Sequence, residues 1–284
     1  MSFFLNFIFF ILLTTQIMNA QIKKTLIFGH RGCRGVMPEN TLEAFRKALT
    51  YNVDGIEWDV VVNKDKQLVV SHEEFMDKNY CLNSDGSEIE NEKENNLYKM
   101  TQKEIELFDC GSKVYKKFPN QEHFKTYKPL VKEAFEKIDF KGIIILFEIK
   151  SEKKLYNKSQ PLPDEYSDII LSEISDFEFK KQIIFMCFDP EILEQIHKKA
   201  PEYKLVYLHE GLGKSVKGML KQLSFKPYAL GIYNKFITKK TVIKAHEDNV
   251  KVFAWTVNKE KEFNRLLKTN LDGIITDFPN LFCN

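Results

Sequence analysis

The sequence predicts an α/β protein in which eight parallel strands alternate with helices and close into a (β/α)8 TIM barrel. Short runs of apolar, often β-branched residues recur along the chain, and helical patterns lie between most of them. The runs are too uniformly apolar for a sheet with one solvated face, which favours a closed parallel barrel. An open doubly wound sheet is the structural alternative. The eight runs are Thr25–Gly29, Val53–Asp59, Gly142–Glu148, Gln182–Cys187, Lys204–Leu208, Tyr228–Ile232, Lys251–Trp255 and Asp272–Thr276.

The composition indicates a globular protein without a strong net charge. The 284 residues include 42 Lys and Arg and 40 Asp and Glu, which gives a formal net charge of +2, and 43% of the residues are hydrophobic. These values lie close to those of ordinary globular domains and exclude disordered or collagen-like chains. Because nucleic-acid-binding proteins usually carry a basic surplus or stripe, the balance predicts no nucleic-acid partner.

The first 20 residues have the pattern of a signal peptide. The run FFLNFIFFILL at residues 3–13 is apolar apart from Asn6, and its 11 residues are too few to span a bilayer, which takes about 20. Ala20 supplies the small residue expected before a signal-peptidase cut. We therefore expect removal of residues 1–20, one domain over residues 21–284, a secreted or periplasmic location and no stable membrane span. The segment holds no Lys or Arg, so a retained anchor on the membrane surface is the alternative.

The chain has five cysteines, whose pairing matters in an exported protein because disulfides persist outside the cytosol. Cys81 and Cys110 lie in one polar segment, and they are the pair that we expect to be bonded. A cross-link over about 30 residues typically stabilises a fold by roughly 3 kcal/mol. Cys187 stands in an apolar run and is expected to be a buried free thiol.

One connection breaks the alternation of strands and helices. The five residues 63–67 separate two extended runs, and so short a link joins antiparallel strands only. The sequence therefore predicts an antiparallel hairpin after the second barrel strand. If the turn centres on Asp65, the numbers of paired residues sum to about 130, and the hairpin returns His72 to the neighbourhood of Glu57 and Asp59.

A polar segment of about 55 residues, Glu73 to Lys128, follows the hairpin and separates the second barrel strand from the third. A connection of this length inside a compact domain is usually a lid or a binding segment. In barrel enzymes the loops that follow the strands carry the active site. We therefore interpret residues 73–128 as an insertion within the domain, which is either a lid or an elaboration of the surface.

Three carboxylates are predicted to converge at the ends of two strands. Glu57 and Asp59 are two residues apart, so their side chains share one face of a strand. Glu148 follows another apolar run and shares a face with Lys150. Carboxylates without a cysteine or paired-histidine cage suit a hard cation, so we expect one divalent ion, Ca²⁺ or Mg²⁺, on Glu57, Asp59 and Glu148.

Two histidines and two cations stand beside these carboxylates. His30 ends the first strand and His72 ends the hairpin, and a pair of histidines can serve as general base and general acid around one phosphorus atom. Arg31 and Lys150 can hold phosphate oxygens. Trp255, at the end of a late strand, either contacts the substrate or closes the barrel core.

Together these motifs resemble the glycerophosphodiester phosphodiesterase family. The chain reads HRGCRGVMPENTLEAFRKAL from His30, then GIEWDVVVNKDKQLVVSHE, FEIK, VFAWTVN and DGIITDFP. The family pattern has HRG, PENT, E-x-D, a His-Asp step, E-x-K and a late WTVN with DG-I-TD, in the same order. The resemblance extends to Pro279. It departs from the pattern at the His-Asp step, which reads His72-Glu73, and matches weakly at residues 128–133.

The resemblance implies a (β/α)8 barrel that uses a divalent metal to hydrolyse glycerophosphodiesters to an alcohol and sn-glycerol 3-phosphate. It implies that His30 and His72 are the acid–base pair and that the three carboxylates are metal ligands. It also implies that Arg31 and Lys150 contact phosphate and that residues 73–128 are the insertion of the family. The expected partner is a small molecule. The alternatives are a related barrel phospholipase acting on intact phospholipid and a non-catalytic module that binds phosphodiesters.

Overall fold

The computed structural model describes residues 24–283, and the expected signal peptide lies outside them. No helix in this part of the chain is long and apolar enough to cross a membrane.

The strands of the described chain are β1 (Leu26–Gly29), β2 (Gly55–Val62), β3 (Leu68–Val70), β4 (Ile144–Ile149), β5 (Ile183–Cys187), β6 (Lys204–His209), β7 (Ala229–Tyr233), β8 (Lys251–Trp255) and β9 (Gly273–Thr276). Its α-helices are α1 (Leu42–Leu49), α2 (Gln102–Ile105), α3 (Val131–Lys137), α4 (Pro163–Ile174), α5 (Pro190–Lys199), α6 (Val216–Leu220), α7 (Lys239–Glu247) and α8 (Glu260–Leu267).

The sheet closes into a barrel because β1 pairs with β2 on one edge and with β9 on the other. The barrel strands are β1, β2 and β4 to β9, and each runs parallel to its neighbours. The predicted closed parallel barrel is therefore confirmed, and the open sheet is excluded because β1 has partners on both edges. Each of the eight apolar runs coincides with a barrel strand to within three residues at each end.

The barrel strands bury both of their faces. Successive side chains of β2 point in opposite directions, so Trp58 packs against the surrounding helices while Glu57 and Asp59 face the inside of the barrel. The indole of Trp58 meets Phe135 and Phe140 edge-on, with ring centroids 5.4 Å apart in both cases. Apolar side chains fill the barrel interior beneath the mouth, among them Phe28, Leu146, Met186, Val206 and Phe253.

Side-chain caps fix where several helices begin. Thr41 accepts a hydrogen bond from the backbone N–H of Ala44 and begins α1. Asp189 caps α5, with Pro190 in its first turn, and Thr238 caps α7. Because each cap ends a loop that leaves the mouth of the barrel, the caps also set the lengths of the loops that carry the site.

Strands β2 and β3 form an antiparallel pair. Val60 lies opposite Val70, so the numbers of paired residues sum to 130. The backbone N–H of Ser71 donates to the carbonyl oxygen of Asp59 at 3.0 Å, which extends the pairing to the barrel mouth. His72 is the next residue, and the hairpin thus brings it beside the end of β2.

Residues 73–128 have a small apolar core of their own, which packs against the hairpin. The disulfide between Cys81 and Cys110 lies in this core, and Cys187 is buried and free elsewhere in the barrel. The insertion is thereby fixed beside β2 and β3, on one side of the mouth. Its core residues and those that the hairpin contributes include Val61, Val69, Met76, Tyr80, Ile89, Leu97 and Ile105.

Replacement of Trp58 by alanine is expected to lower the free energy of unfolding by about 3–5 kcal/mol. The indole is fully buried among four aromatic rings, and its removal leaves a cavity. Denaturant unfolding followed by circular dichroism measures the change. The Trp58→Phe variant keeps most of the apolar volume and should lose much less, so equal losses in the two variants would contradict this packing.

Candidate active site

The carboxyl ends of the barrel strands surround a cavity of about 360 Å³. Parallel strands of a barrel end on the same rim, so residues far apart in the sequence meet there. Asp59 is fully buried and does not line the cavity, but it clusters with two carboxylates that do. The Cys81–Cys110 disulfide lies away from the cavity, in the insertion. The other predicted site residues line the cavity, namely His30, Arg31, Glu57, His72, Glu148, Lys150 and Trp255.

The three carboxylates form a cluster at one side of the cavity. Strands β2 and β4 pair with Asp59 opposite Glu148, so the two side chains start from neighbouring backbone positions. One oxygen from each of Glu57, Asp59 and Glu148 lies within 4.8 Å of the others. Burial raises the pKa of the Glu57 carboxyl well above its usual value, and the charges of Asp59 and Glu148 raise it further. The cluster is therefore unfavourable as three bare anions.

Unused oxygen atoms show that the cluster fits a divalent cation. Glu57 Oε1 and Asp59 Oδ1 are buried, and neither has a hydrogen-bond partner among the residues that the structure describes. A buried polar atom without a partner costs free energy, which a bound cation would recover. A donor set made only of carboxylate oxygens suits Ca²⁺ or Mg²⁺, whereas Zn²⁺ usually takes nitrogen and sulfur ligands.

The loop after β1 holds the carboxylates in place. Arg31 has a left-handed backbone with φ 50°, and its N–H donates to Glu57 Oε2 at 2.9 Å. Its guanidinium lies 2.5 Å from Glu39 and 3.2 Å from Asp59. Asn40 donates a hydrogen bond to Asp59 Oδ2 at 2.9 Å. Arg31 therefore orients the cluster in addition to lining the cavity, and the PENT motif contributes Glu39 and Asn40 to the site.

His30 is oriented by a carboxylate that follows the last strand. Its Nδ1 lies 2.5 Å from Asp277 Oδ1, and Asn258 donates to Asp277 Oδ2 at 2.6 Å. The Nε2 atom, on the other side of the ring, lies 3.8 Å from Glu57 Oε2. Burial lowers the pKa of His30 below its usual value, and Asp277 offsets part of this effect. The ring is thus held with Nε2 towards the carboxylate cluster.

His72 has a similar arrangement with different partners. Its Nδ1 lies 2.7 Å from Glu73 Oε1, and the Tyr80 hydroxyl donates to Glu73 Oε2 at 2.6 Å. Lys128 in turn donates to the Tyr80 oxygen at 3.0 Å. Burial raises the pKa of the Glu73 carboxyl, but the hydrogen bond and charge of His72 and the nearby cations outweigh it and hold that pKa well below its usual value. Glu73, which departs from the family pattern, therefore still orients the histidine before it.

Lys150 lines the cavity beside two of the carboxylates. Its Nζ lies 2.6 Å from Glu148 Oε1 and 3.6 Å from Asp59 Oδ1. Burial by itself lowers the pKa of the ammonium group, but the two carboxylates outweigh burial and raise this pKa above its usual value. Lys150 is consequently a permanent positive charge on the cavity wall.

Aromatic side chains form another part of the cavity wall. The ring of Trp255 lies 5.4 Å from that of Phe188 and 5.4 Å from that of Tyr233. All three rings line the cavity, and Trp255 also packs against the apolar core beneath it. Both roles considered for Trp255 from the sequence are thus compatible with its position.

Four charged or amide side chains that line the cavity were not singled out in the sequence: Arg34, Lys117, Asn258 and Asp277. Asn258 and Asp277 lie in the WTVN and DGIITD motifs. The sequence could have identified Asp277, because in a closed barrel the last strand ends beside the first, which carries His30. Arg34 Nε lies 3.3 Å from Asp277 Oδ1. Lys117 carries no signal in the sequence, since it is one of many lysines in a polar segment.

A cavity lined by two histidines beside a carboxylate cluster suits the cleavage of a phosphate ester, and this chain is a phosphoric diester hydrolase. Its particular family follows from comparison with known proteins. The chain belongs to the glycerophosphoryl diester phosphodiesterase family, whose model matches residues 30–281. The family membership inferred from the motifs is thereby confirmed.

Similar proteins extend over nearly the whole chain. A glycerophosphodiester phosphodiesterase of Caldanaerobacter subterraneus subsp. tengcongensis is 32% identical over 262 residues, which are 92% of this chain and 97% of that protein. A solved structure from Silicibacter pomeroyi has a TM-score of 0.82 and 27% identity and covers 91% of both chains. An Oleispira antarctica phosphodiesterase, solved in complex with the product sn-glycerol-3-phosphate, has a TM-score of 0.73 at 22% identity and covers 90% of this chain and 94% of that one. The last similarity concerns the fold alone.

Proposed function

We propose that this protein hydrolyses glycerophosphodiesters to an alcohol and sn-glycerol 3-phosphate, with one Ca²⁺ or Mg²⁺ ion and with acid–base catalysis by His30 and His72. One observation carries the proposal: each histidine has its Nδ1 against a carboxylate, and both rings line one cavity beside the carboxylate cluster. The relative that is 32% identical and bears the name glycerophosphodiester phosphodiesterase supports the substrate class.

The two histidines are prepared for proton transfer at Nε2. Because Asp277 and Glu73 accept from Nδ1, the neutral form of each ring carries its proton on Nδ1 and its lone pair on Nε2. One ring takes the proton of the attacking oxygen, and the other gives a proton to the departing alcohol oxygen. Each carboxylate also stabilises the charged form of its histidine while that form exists.

Positive charge around the phosphate supports the same reaction. The phosphodiester is an anion, and charge on its oxygens increases in the transition state. A divalent cation bound by Glu57, Asp59 and Glu148 would supply Lewis-acid stabilisation at these oxygens. Lys150 and Arg31 line the same cavity and add fixed positive charge, which lowers the free energy of the transition state relative to that of the substrate.

The purified chain is expected to release glycerol 3-phosphate from glycerophosphocholine, to lose this activity after chelation, and to regain it with Ca²⁺ or Mg²⁺. His30→Ala and His72→Ala are each expected to lower kcat by about 10²–10⁴-fold. The cation should also raise the thermal unfolding temperature. That rise should persist in both histidine variants and disappear in Asp59→Asn, which removes a charged ligand.

The matched control is His123→Ala, because His123 is exposed in the insertion and does not line the cavity. It should retain full activity. The proposal would be wrong if His30→Ala and His72→Ala both kept full activity. Release from intact phospholipid, without release from glycerophosphocholine, would instead support the phospholipase alternative.

The insertion adds a further cation to the mouth of the cavity. The ring of Phe118 lies 4.9 Å from the guanidinium of Arg34 and 6.0 Å from the ring of Phe278. Gln121 donates to two backbone carbonyls of the loop after β1, so this part of the insertion is fastened to that loop. Lys117 lines the cavity and has no ion pair within residues 24–283. We propose that Lys117 contacts the phosphate of the substrate.

The Lys117→Ala variant is expected to raise KM for glycerophosphocholine by about threefold to tenfold, because one exposed charged contact contributes about 1 kcal/mol. We expect kcat to change little, and Lys117→Arg should preserve KM. Steady-state kinetics on the cation-loaded enzyme measures both constants. The adjacent lysine provides the control: Lys116 is exposed and does not line the cavity, so an equal effect of Lys116→Ala would contradict the proposal.

We also propose that the protein is exported and that residues 1–20 are removed. The N-terminal pattern supports export, and so does the Cys81–Cys110 disulfide, because disulfides are rare in the reducing cytosol. Mass spectrometry of the exported protein should show Gln21 as the first residue. A chain that keeps Met1 and sediments with membranes would favour the retained anchor instead.

A further inference from the structure

The basic residues of the chain are unevenly distributed. Residues 211–246 contain eight lysines and no Arg, Asp or Glu, whereas the remainder of the chain has 34 basic and 40 acidic residues. The formal charge is therefore +8 in this segment and −6 in the remainder. The near-neutral total charge of the chain therefore hides a strongly basic segment.

This segment forms one sector of the outside of the barrel, from α6 through β7 to α7. A groove of about 450 Å³ lies between the short helix α6 and the longer α7. Lys244 in the groove pairs with Glu247 at 2.6 Å. The remaining lysines of the groove have no ion-pair partner in the described part of the chain, and they are Lys214, Lys217 and Lys240.

Large apolar side chains are exposed among these lysines. Leu212, in the loop after β6, is 66% exposed, and Phe236, just after β7, is 37% exposed. Both follow the carboxyl ends of strands and therefore lie on the mouth side of the barrel. Val216 and Ile232 contribute an apolar floor to the groove. Asp248 also lines the groove, but the three unpaired lysines outnumber it. Exposed apolar groups rimmed by charged side chains mark a contact surface.

A row of aromatic rings connects this surface to the catalytic cavity. Phe236 lies 6.0 Å from Tyr233, and Tyr233 lies 5.4 Å from Trp255, by ring centroids. Tyr233 and Trp255 line the cavity. Around the barrel, β6 and β7 stand opposite β1 and β2, where the insertion packs. The mouth is therefore bordered by a polar insertion on one side and by a basic and apolar surface on the other.

We propose that this basic face, defined as Leu212, Lys214, Lys217, Phe236 and Lys240, docks on an anionic lipid surface. The lysines attract acidic headgroups, and the two apolar side chains enter the boundary between headgroups and acyl chains. A nucleic acid would also attract lysines, but it offers no apolar layer for Leu212 and Phe236. Docking in this orientation places the mouth of the cavity beside the membrane. Docking of this face requires no particular phosphodiester substrate.

Vesicle sedimentation tests the proposal. The barrel is closed within residues 24–283, so the experiment uses the chain from Gln21, which removes the apolar N-terminal run as a source of membrane binding. The protein should sediment at low salt with phosphatidylcholine vesicles that contain about 30 mol% phosphatidylglycerol, and should not sediment with pure phosphatidylcholine. Added salt should weaken the binding, because it screens the lysines.

Charge reversal identifies the surface. The variant Lys214→Glu/Lys240→Glu should lower the partition coefficient on the anionic vesicles at least about tenfold. The matched control, Lys103→Glu/Lys181→Glu, changes the net charge equally at exposed positions away from the basic face and should bind like the unaltered protein. Leu212→Ser should weaken the part of vesicle binding that persists at high salt, because salt does not screen an apolar contact. Unchanged thermal unfolding temperatures establish that the variants are folded.

Three results would each overturn the proposal. The first is failure of the unaltered protein to bind the anionic vesicles at low salt. The second is an equal loss of binding in the control variant, which would mean that total charge and not this surface is responsible. The third is tight binding to a short DNA duplex with no binding to vesicles, which would assign the lysines to a nucleic acid.

Discussion

Closure of the barrel through the pairing of β1 with β9 is the constraint on which the site depends. This pairing brings Asp277 to within 2.5 Å of His30 although 247 positions separate them in the sequence. Asn258, in the loop after β8, donates to Asp277, so two residues near the C-terminal end of the chain orient an imidazole near its N-terminal end. His72 is oriented by a local contact instead, because its partner Glu73 is the next residue in the sequence. One histidine thus relies on the global topology and the other on a short turn.

Beneath the two histidines the mouth buries several charged side chains, and most of them are paired. Arg31 lies against Glu39 and Asp59, and Lys150 against Glu148. Pairing of this kind offsets the free energy that burial of each charge costs. Glu57 differs, since its partner is a backbone N–H and one of its oxygens is left without any hydrogen bond among the described residues. The remaining imbalance is negative and lies inside the cluster, which is the physical reason that the site fits a cation.

The two sides of the mouth differ in chemistry. The insertion contributes Tyr80 and Lys128 to the orientation of His72 and places Lys117 at the edge of the cavity, so it is joined to the site by polar contacts. Across the barrel, a row of rings runs outwards from Trp255 to Phe236 and ends among unpaired lysines. A barrel permits this division because each loop can change its composition without altering the strands that hold it.

The sequence by itself determined the barrel, the hairpin and the set of carboxylates and histidines at the mouth, because these depend on local periodicity: β-strand alternation puts Glu57 and Asp59 on one face, and a five-residue turn returns His72 to them. The sequence did not determine which groups those side chains contact. The hydrogen bond of Asp277 to His30 and the position of Lys117 beside the cavity arise from contacts between distant segments. Only the tertiary structure decided these features, because strand register and barrel closure, and not spacing along the chain, set the distances between such segments.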